Sequence, residues 1–441
     1  MGIQVEVAIT TGRSTYPRKK MPLCFAVRDK EANSLGLRLM GLILSADNVV
    51  AFLKQSNVCS LDFQPIYPII TKESKNFNLV VRSALDKSFI VKQNRVNHEG
   101  KTSGNLFSEW IVQDLLNHFG DLRTIQPLMS EVVSFDRENS TIVSVFYDQY
   151  MALDDYYESH QSYHPKIADT IGVNLAKIHR ATYQNQKYRD FLGRHCNLAR
   201  AKELPRFIER LNNLSPSIFS ESCPDGLDFY KLYQRFPSLN DTIVELYEHL
   251  QPSCLTHKDL TLDNFIVDSQ IDLSLDAIDI RPEQIKIIDW EFNFWADPAE
   301  DLGMLVSQYL SEWLTSLVAD PSLDLKTILS LATCPLEAIT PSLEALLLGY
   351  LKAFPELLQH RSDFVNRVVQ FAGIGIISRL SYYVEYHYYF GNEDICKLQV
   401  AKNLICAPEQ AVENLFGNAV AECTNFLQSK PIASSKVAAK I

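Results

Sequence analysis

The segment His257-Lys258-Asp259-Leu260-Thr261-Leu262-Asp263-Asn264 carries the most information in this sequence. It sets a histidine, a carboxylate and an amide at the spacing H-x-D-x-x-x-x-N. Asp259 and Asn264 are therefore held a few residues apart on one short loop, so that both side chains can reach the same small volume. The segment predicts a loop that carries chemistry, and the sequence on either side of it extends that prediction.

Two apolar runs follow the loop. Phe265-Ile266-Val267 reads as a strand, and Gln284 to Ile288 reads as a second strand that ends at Asp289-Trp290-Glu291. We expect the two strands to pair as a hairpin that brings Asp289 beside Asp259.

These residue types at this spacing suit phosphoryl transfer. The reaction needs a carboxylate to orient the attacking hydroxyl, which predicts Asp259 as the catalytic residue. It also needs oxygen ligands that hold a hard cation against phosphates, which predicts Asn264 and Asp289 as ligands of Mg²⁺. The alternative, a surface turn with ordinary polar residues, is disfavoured because three spaced features agree.

A strand before the loop supplies a cation. Ser88 to Lys92 is β-rich and ends in Lys92, and Glu109 lies on the helix predicted next. Paired with Glu109, Lys92 would neutralise the α- and β-phosphates of a nucleotide. A solvated strand end and an unrelated carboxylate are the alternative, and context favours the pair.

Together these motifs resemble the aminoglycoside phosphotransferase and choline kinase superfamily, whose members are protein-kinase-like small-molecule kinases. Two further stretches support the resemblance, Ile171 to His179 and Ala296 to Leu302. It covers roughly residues 45 to 420 by our comparison of elements. It implies ATP and Mg²⁺ as cofactors, with Asp301 anchoring the catalytic segment and His257 steadying the loop. The adenine contacts that it implies are Ile266, Ile288 and the backbone near Phe146 and Tyr147.

The predicted fold class is α+β, a two-lobed protein-kinase-like fold. Residues 41–150 form the nucleotide-binding N-lobe, a small antiparallel five-stranded sheet with one helix, and residues 151–429 form a larger helical C-lobe with the catalytic loop and substrate-binding helices. Long helices are predicted at Ile167 to Thr182, Asp301 to Leu317, Pro341 to Leu358 and Val365 to Tyr389.

The two ends of the chain carry no core-forming pattern. Residues 1–40 are predicted to be a poorly ordered extension, and we hypothesise that translation starts near Met40. Residues 430–441 are predicted to be a disordered tail, because they are rich in Ala, Ser, Lys and Pro.

The chain departs from the family pattern in two places. The turn Thr71 to Asn76 contains no glycine, and an acidic stretch from Ser269 to Pro282 is inserted between the strands of the catalytic hairpin. The structure of the phosphate-covering loop, the preference for ATP over GTP and the role of the insertion stay open.

Composition narrows the class of partner. A net charge of −11 and a pI near 5.5 argue against a nucleic-acid surface. No apolar run is long enough to cross a membrane, and the cysteines and histidines show no zinc spacing. The sequence predicts a cytoplasmic protein whose partner is a small molecule with a hydroxyl group, with no nucleic acid or membrane partner. Its oligomeric state is unknown.

The predicted function is therefore an ATP-dependent kinase that phosphorylates an aminoglycoside, an amino alcohol or a sugar-like molecule. The alternative is a pseudokinase scaffold that binds nucleotide without turnover. A protein kinase is disfavoured because Asp297-Pro298 leads directly into a helix, without room for a long activation segment.

Two features keep more than one interpretation. Glu291 either contacts the metal, binds a cationic substrate or makes a plain hydrogen bond. The aromatic run from Tyr382 to Phe390 either packs in the core, which we favour because Tyr382, Tyr386 and Tyr389 share a helical face, or binds a quaternary ammonium by cation–π contacts.

Overall fold

A computed structural model gives the structure of the protein. It describes residues 42–73, 76–95, 102, 104–215, 218, 224–275, 280–320, 322–387, 389–417 and 419–422. The predictions of a poorly ordered extension, of a start near Met40 and of a disordered tail at 430–441 all lie outside these residues.

A five-stranded antiparallel sheet forms first along the chain. Its strands are β1 (Pro65–Glu73), β2 (Phe77–Ser83), β3 (Ser88–Gln93), β4 (Val132–Asp136) and β5 (Thr141–Phe146), in the order β1-β2-β3-β5-β4. This sheet, which we call the upper sheet, confirms the predicted five strands. The predicted turn at 71–76 is too long, because Thr71, Lys72 and Glu73 pair with β2 and extend β1.

Two helices pack on the upper sheet. The short α1 (Val49–Gln55) buries Val49, Phe52 and Leu53 in one apolar cluster with residues of β2 and β3. The longer α2 (Asn105–His118) buries Leu106 with Val132 and Ile142. Lys92 of β3 and Glu109 of α2 are consequently carried by neighbouring elements.

The rest of the chain is mainly helical, and its helices pack around one large apolar core. They are α3 (Leu153–His160), α4 (Pro165–Thr182), α5 (Gln186–Gly193), α6 (Arg206–Asn212), α7 (Pro224–Gln234), α8 (Pro237–Glu248), α9 (Ile271–Leu275), α10 (Pro298–Ser316), α11 (Leu325–Ser330), α12 (Leu336–Ala353), α13 (Glu356–His360), α14 (Phe364–His387), α15 (Asn392–Cys406) and α16 (Pro408–Phe416).

Two small antiparallel sheets lie among these helices. Strands β6 (Tyr150–Ala152), β8 (Phe265–Asp268) and β9 (Ile285–Ile287) pair in the order β6-β8-β9, and β7 (Cys254–Thr256) pairs with β10 (Phe294–Ala296). Phe265 pairs with Ile287, so β8 and β9 form the predicted catalytic hairpin. Short 3₁₀ turns occur at Gly120–Thr124, Gln126–Leu128, Leu198–Lys202, Leu262–Asn264, Pro282–Gln284 and Trp290–Phe292.

The α+β fold class is confirmed, while several helix boundaries differ from the prediction. Pro341 does not begin a helix, since it lies inside α12, which starts at Leu336 after Pro335. Because Pro341 lacks an N–H group, the helix loses one backbone hydrogen bond there. The helix nevertheless continues past Pro341, and it packs against α4. Helix α14 ends at His387, so Tyr389 does not share a helical face with Tyr382.

Helices α4 and α12 approach each other at two glycines. A Cβ atom built at Gly172 would lie 2.2 Å from the Leu346 carbonyl oxygen, and one at Gly349 would lie 2.5 Å from the Asp169 carbonyl oxygen. No side chain fits between the two backbones at these points. The close contact brings Tyr350 of α12 against His179 of α4.

Within the part of the chain that the structure describes, no helix combines the length and the apolar character needed to cross a lipid bilayer.

Candidate active site

The backbone of the loop between β7 and β8 is attached to the start of α10 through the carboxylate of Asp301. Oδ2 of Asp301 accepts a hydrogen bond from the backbone N–H of His257 at 2.6 Å, and Oδ1 accepts from the N–H of Lys258 at 2.8 Å. Lys258 has a left-handed backbone with φ of 68°, which is unfavourable for a residue with a side chain. Asp301 therefore holds the loop in a conformation that its sequence alone would not favour.

Asp301 is itself fixed by a buried histidine. His179 Nε2 donates to Asp301 Oδ2 at 3.2 Å, while His179 Nδ1 lies 2.8 Å from the hydroxyl of Tyr350. Burial raises the pKa of Asp301, but the hydrogen bond and charge of His179 and the contacts with His257 outweigh it, so the pKa lies below its ordinary value. Asp301 is thus ionised and accepts both amides of the loop.

His257 connects the loop to the end of β9. Its Nε2 lies 2.8 Å from the Ile288 carbonyl oxygen, and because a carbonyl only accepts, Nε2 carries the proton. Its Nδ1 then accepts from the Asp259 N–H at 3.3 Å. Burial lowers the pKa of His257, which favours the neutral ring that this arrangement requires. His257 contacts backbone on both sides, as the resemblance implies for a steadying residue.

Asp259 and Asn264 are connected within the same loop. Asn264 Nδ2 donates to the Asp259 carbonyl oxygen at 2.7 Å, so the Oδ1 atom of Asn264 points the other way. The Asn264 carbonyl accepts from the Ile288 N–H at 2.9 Å. Both side chains are buried, with 7% of Asp259 and 8% of Asn264 exposed. The hairpin register therefore fixes this pair relative to Asp289.

Asp289 follows β9 in a left-handed backbone conformation with φ of 65°. Its Oδ1 atom lies 2.8 Å from Lys92 Nζ, and Lys92 Nζ lies 3.2 Å from Glu109 Oε2. The structure thus unites Lys92, Glu109 and Asp289, which are far apart in the sequence, in one ion-pair cluster. This cluster attaches the upper sheet to the catalytic hairpin.

The charges in the cluster do not balance. Burial lowers the pKa of Lys92, but the attraction of Asp289 and Glu109 exceeds that effect and raises it above its ordinary value. Burial raises the pKa of Glu109 to about 7, because Lys92 offsets the loss of solvation incompletely and Asp289 and Glu291 repel the charged form. One cation, Lys92, faces the two carboxylates of Glu109 and Asp289, and Glu291 adds negative charge nearby, which leaves room for a further positive charge.

The donor atoms fit a hard divalent cation. An amide oxygen from Asn264 and a carboxylate from Asp289 are oxygen ligands of the kind that Mg²⁺ prefers, with phosphates and water completing the shell. Among the described residues, no group of three or more His, Cys, Asp or Glu side chains could hold a metal by itself. The described residues that would hold Mg²⁺ here are therefore Asn264 and Asp289.

Glu291 makes a side-chain contact with the upper sheet. Its Oε2 atom accepts from Asn76 Nδ2 at 3.3 Å, and only 8% of Glu291 is exposed. Of the three interpretations left open by the sequence, this geometry supplies the hydrogen bond and leaves the contacts with a metal or a cationic substrate as predictions.

The residues predicted to contact adenine lie along the junction of the sheets. Phe146 ends β5, and Ile266 on β8 pairs with Ala152 of β6. The Tyr147 ring lies under Lys286, with Nζ 5.0 Å from its centroid, so this side chain faces Lys286. Ile288 is half-buried beside the loop. Their role as adenine contacts stays a prediction.

The inserted stretch between β8 and β9 contains helix α9 and packs on α3. Asp272 Oδ1 accepts from the Tyr156 hydroxyl at 2.5 Å, and Ile271 and Ile280 are buried in the large core. These contacts pack the insertion on the C-lobe.

Three residues of the aromatic run, Tyr382, Tyr383 and Phe390, are partly covered by other side chains. Tyr382 and Tyr383 are half-buried, and Phe390 packs on Phe229 with ring centroids 5.3 Å apart. These contacts agree with packing and do not test the cation–π alternative.

Sequence reasoning missed several supporting residues. The pattern Ile171 to His179 marked His179 without a role, and nothing marked Tyr350 or Asn76. Lys258 Nζ also forms an ion pair with Glu300, next to Asp301. A lone His or Asn carries no spacing signal, so these contacts required the fold.

Comparison with known proteins finds a family model that matches part of the chain. Residues 129–325, less than half of the chain, match the model of the phosphotransferase enzyme family, APH. Asp259, Asn264, Asp289 and Asp301 lie within the matched segment, whereas Lys92 and Glu109 precede it. The predicted resemblance to a phosphotransferase family is confirmed for this segment.

Solved structures of phosphotransferases are similar over most of the chain. A choline/ethanolamine kinase family protein from Mesorhizobium loti shares 14% identity, covering 86% of this chain and 98% of that chain, with a TM-score of 0.46. Choline kinase LicA from Streptococcus pneumoniae shares 17% identity, covering 82% of this chain and 100% of that chain, with a TM-score of 0.40. A macrolide 2′-phosphotransferase type I shares 13% identity, covering 83% of this chain and 99% of that chain, with a TM-score of 0.40. No curated protein matches the chain in sequence.

Proposed function

We propose that this protein transfers the γ-phosphate of ATP to a hydroxyl group of a small molecule. The observation that carries the proposal is the Lys92 ammonium held between Glu109 and Asp289, at 3.2 and 2.8 Å, directly beside the loop with Asp259 and Asn264. A phosphate-binding lysine, a metal-binding carboxylate and a catalytic aspartate are the parts that phosphoryl transfer requires.

Each of these side chains has a distinct task. Lys92 contacts the phosphates and offsets their charge, while Glu109 keeps the ammonium in place. Mg²⁺ bound by Asn264 and Asp289 would neutralise charge on the β- and γ-phosphates. Asp259 orients the acceptor hydroxyl toward the γ-phosphorus and takes its proton at a carboxylate oxygen. The contribution of the protein is positioning and electrostatic stabilisation.

The acceptor class is the open part of the proposal. The match to the phosphotransferase family over residues 129–325 supports phosphoryl transfer as the reaction. The resemblance of the catalytic motifs supports an aminoglycoside, an amino alcohol or a sugar-like molecule as the acceptor. A cytoplasmic location, with neither nucleic acid nor membrane as partner, belongs to the same proposal.

The test is ADP release from the purified full chain with Mg²⁺ and ATP. Aminoglycosides, amino alcohols, sugars and nucleosides are added one at a time, and the Asp259→Asn variant is the control. Release that depends on one acceptor and on Asp259 supports the proposal. ATP binding without release for any acceptor favours the pseudokinase scaffold instead.

A further inference from the structure

A row of buried side chains crosses the upper sheet where β2 starts, β3 ends and β5 starts, a margin of strand ends that we call the sheet edge, and the row ends near Asp289. The Ser140 hydroxyl donates to Asn94 Oδ1 at 2.8 Å, Asn94 Nδ2 donates to Asn76 Oδ1 at 2.9 Å, and Asn76 Nδ2 donates to Glu291 Oε2 at 3.3 Å. We call these four residues the polar row. Every donor in it points the same way, toward the Glu291 carboxylate.

The polar row is built into the protein interior. Exposed fractions are 6% for Ser140, 3% for Asn94, 7% for Asn76 and 8% for Glu291. The amides of the row resist rotation, because turning one of them by half a turn would place donor against donor or acceptor against acceptor along the row. The orientation of Asn76 is therefore fixed from the sheet side before it meets Glu291.

The position of Asn76 gives the row its significance. It immediately precedes β2, and the sequence between β1 and β2 contains no glycine. A glycine-rich turn would cover phosphates through its backbone amides, and this chain has fewer positions suited to that. The contact with Glu291, 215 residues away, instead attaches this edge of the sheet to the segment that follows Asp289.

We infer that Asn76 is a positioning residue that holds the sheet edge beside the phosphate site by donating to Glu291. The inference rests on the proposed function, since it assigns Asn76 to the binding of the Mg²⁺–ATP complex. Asn76 acts through Glu291 and the sheet edge.

The experiment measures the dissociation constant of the Mg²⁺–ATP complex by calorimetry, without any acceptor, on the full chain. Asn76→Asp is the informative change, because the new carboxylate still accepts from Asn94 but repels Glu291. Its effect is measured twice, in the natural chain and in a chain that carries Glu291→Gln, where the introduced amide can donate to the introduced carboxylate. This design separates the contact between positions 76 and 291 from any direct role of Glu291.

We expect about tenfold weaker binding from Asn76→Asp in the natural chain and less than about a twofold change in the chain that carries Glu291→Gln. The matched control is Asn57→Asp, the same change at an exposed residue, which should leave binding unaltered. An equal loss in both backgrounds, or no loss in either, overturns the inference. Failure of the natural chain itself to bind Mg²⁺–ATP would instead contradict the proposed function.

Discussion

The catalytic loop and the edge of the upper sheet reach the same site by different means. The loop is held by backbone hydrogen bonds to Asp301 and by a neutral histidine. The sheet edge is held by the Lys92 ion pairs and by one side-chain contact between Asn76 and Glu291. The loop is therefore preorganised by the fold, whereas the sheet edge depends on charge and should respond to ligand and pH.

The largest effect is expected at the centre of the preorganised loop. Asp259→Asn keeps the shape of the side chain but removes the base, so kcat should fall by roughly 10³-fold. The affinity for Mg²⁺–ATP should change by less than about threefold, because Asp259 is assigned to the acceptor hydroxyl. Steady-state ADP release and calorimetry measure the two quantities. Full activity in this variant would refute the assignment of Asp259.

A second change tests whether the loop is anchored by one carboxylate. Asp301→Asn replaces an acceptor oxygen with an amide that faces the N–H groups of His257 or Lys258. The free energy of unfolding should fall by about 3 kcal/mol, as for a buried hydrogen-bonded charge. Urea titration followed by circular dichroism gives the value. The control is Asp190→Asn, the same change at an exposed position. If Asp301→Asn lowers the free energy of unfolding no more than this control does, the loop does not need Asp301 as an anchor.

On the charged side of the comparison, Asp289→Ala removes a partner of Lys92 and a predicted metal ligand together. Binding of ATP should weaken by about 100-fold and lose its dependence on Mg²⁺. ATP affinity is measured for the natural chain and for Asp289→Ala, in each case with added Mg²⁺ and with a chelator. The difference between the two conditions is the part of the affinity that depends on the metal. Binding that keeps its full dependence on Mg²⁺ in the variant would assign the metal to other residues.

The smallest effect concerns the protonation of Glu109. Its pKa of about 7 in the folded protein exceeds the value for an unfolded chain, so the folded state binds the additional proton between these values. Stability should therefore fall as pH rises. The measured quantity is the unfolding free energy of the natural chain minus that of Glu109→Gln, without ligand. This difference should fall by about 2 kcal/mol as the pH rises from about 5 to about 7. A difference that grows with pH would mean that Lys92 dominates and lowers this pKa.

The sequence predicted the loop side of the site well because its spacing is local. Asp259 and Asn264 lie just before the β8–β9 hairpin and Asp289 lies just after it, so strand periodicity was enough to align them. The upper sheet and the Lys92–Glu109 pair also followed from strand runs and the next helix. The pattern could not give the length of β1, because pairing with β2 extended it through Lys72 and Glu73, whose propensity for strands is low.

Contacts between distant segments were beyond the reach of the sequence. Asn76 meets Glu291, and His179 meets Tyr350, only because the fold brings separate elements together. A buried amide or histidine has no periodic signature, so its partner is decided by tertiary packing. The start of α12 before Pro341 is a related case, since packing on α4 overrides the local preference of proline for a helix start.

The contact between α4 and α12 leaves no space for a side chain at two positions of the chain. An alanine at Gly172 or Gly349 would neither add nor remove a polar atom, yet its methyl group would overlap the carbonyl of the facing helix. The helices would have to separate, and Tyr350 and His179 would part with them. If every substitution were scored by activity, both glycines should therefore be as intolerant of change as catalytic residues. Their contribution is only the absence of a side chain.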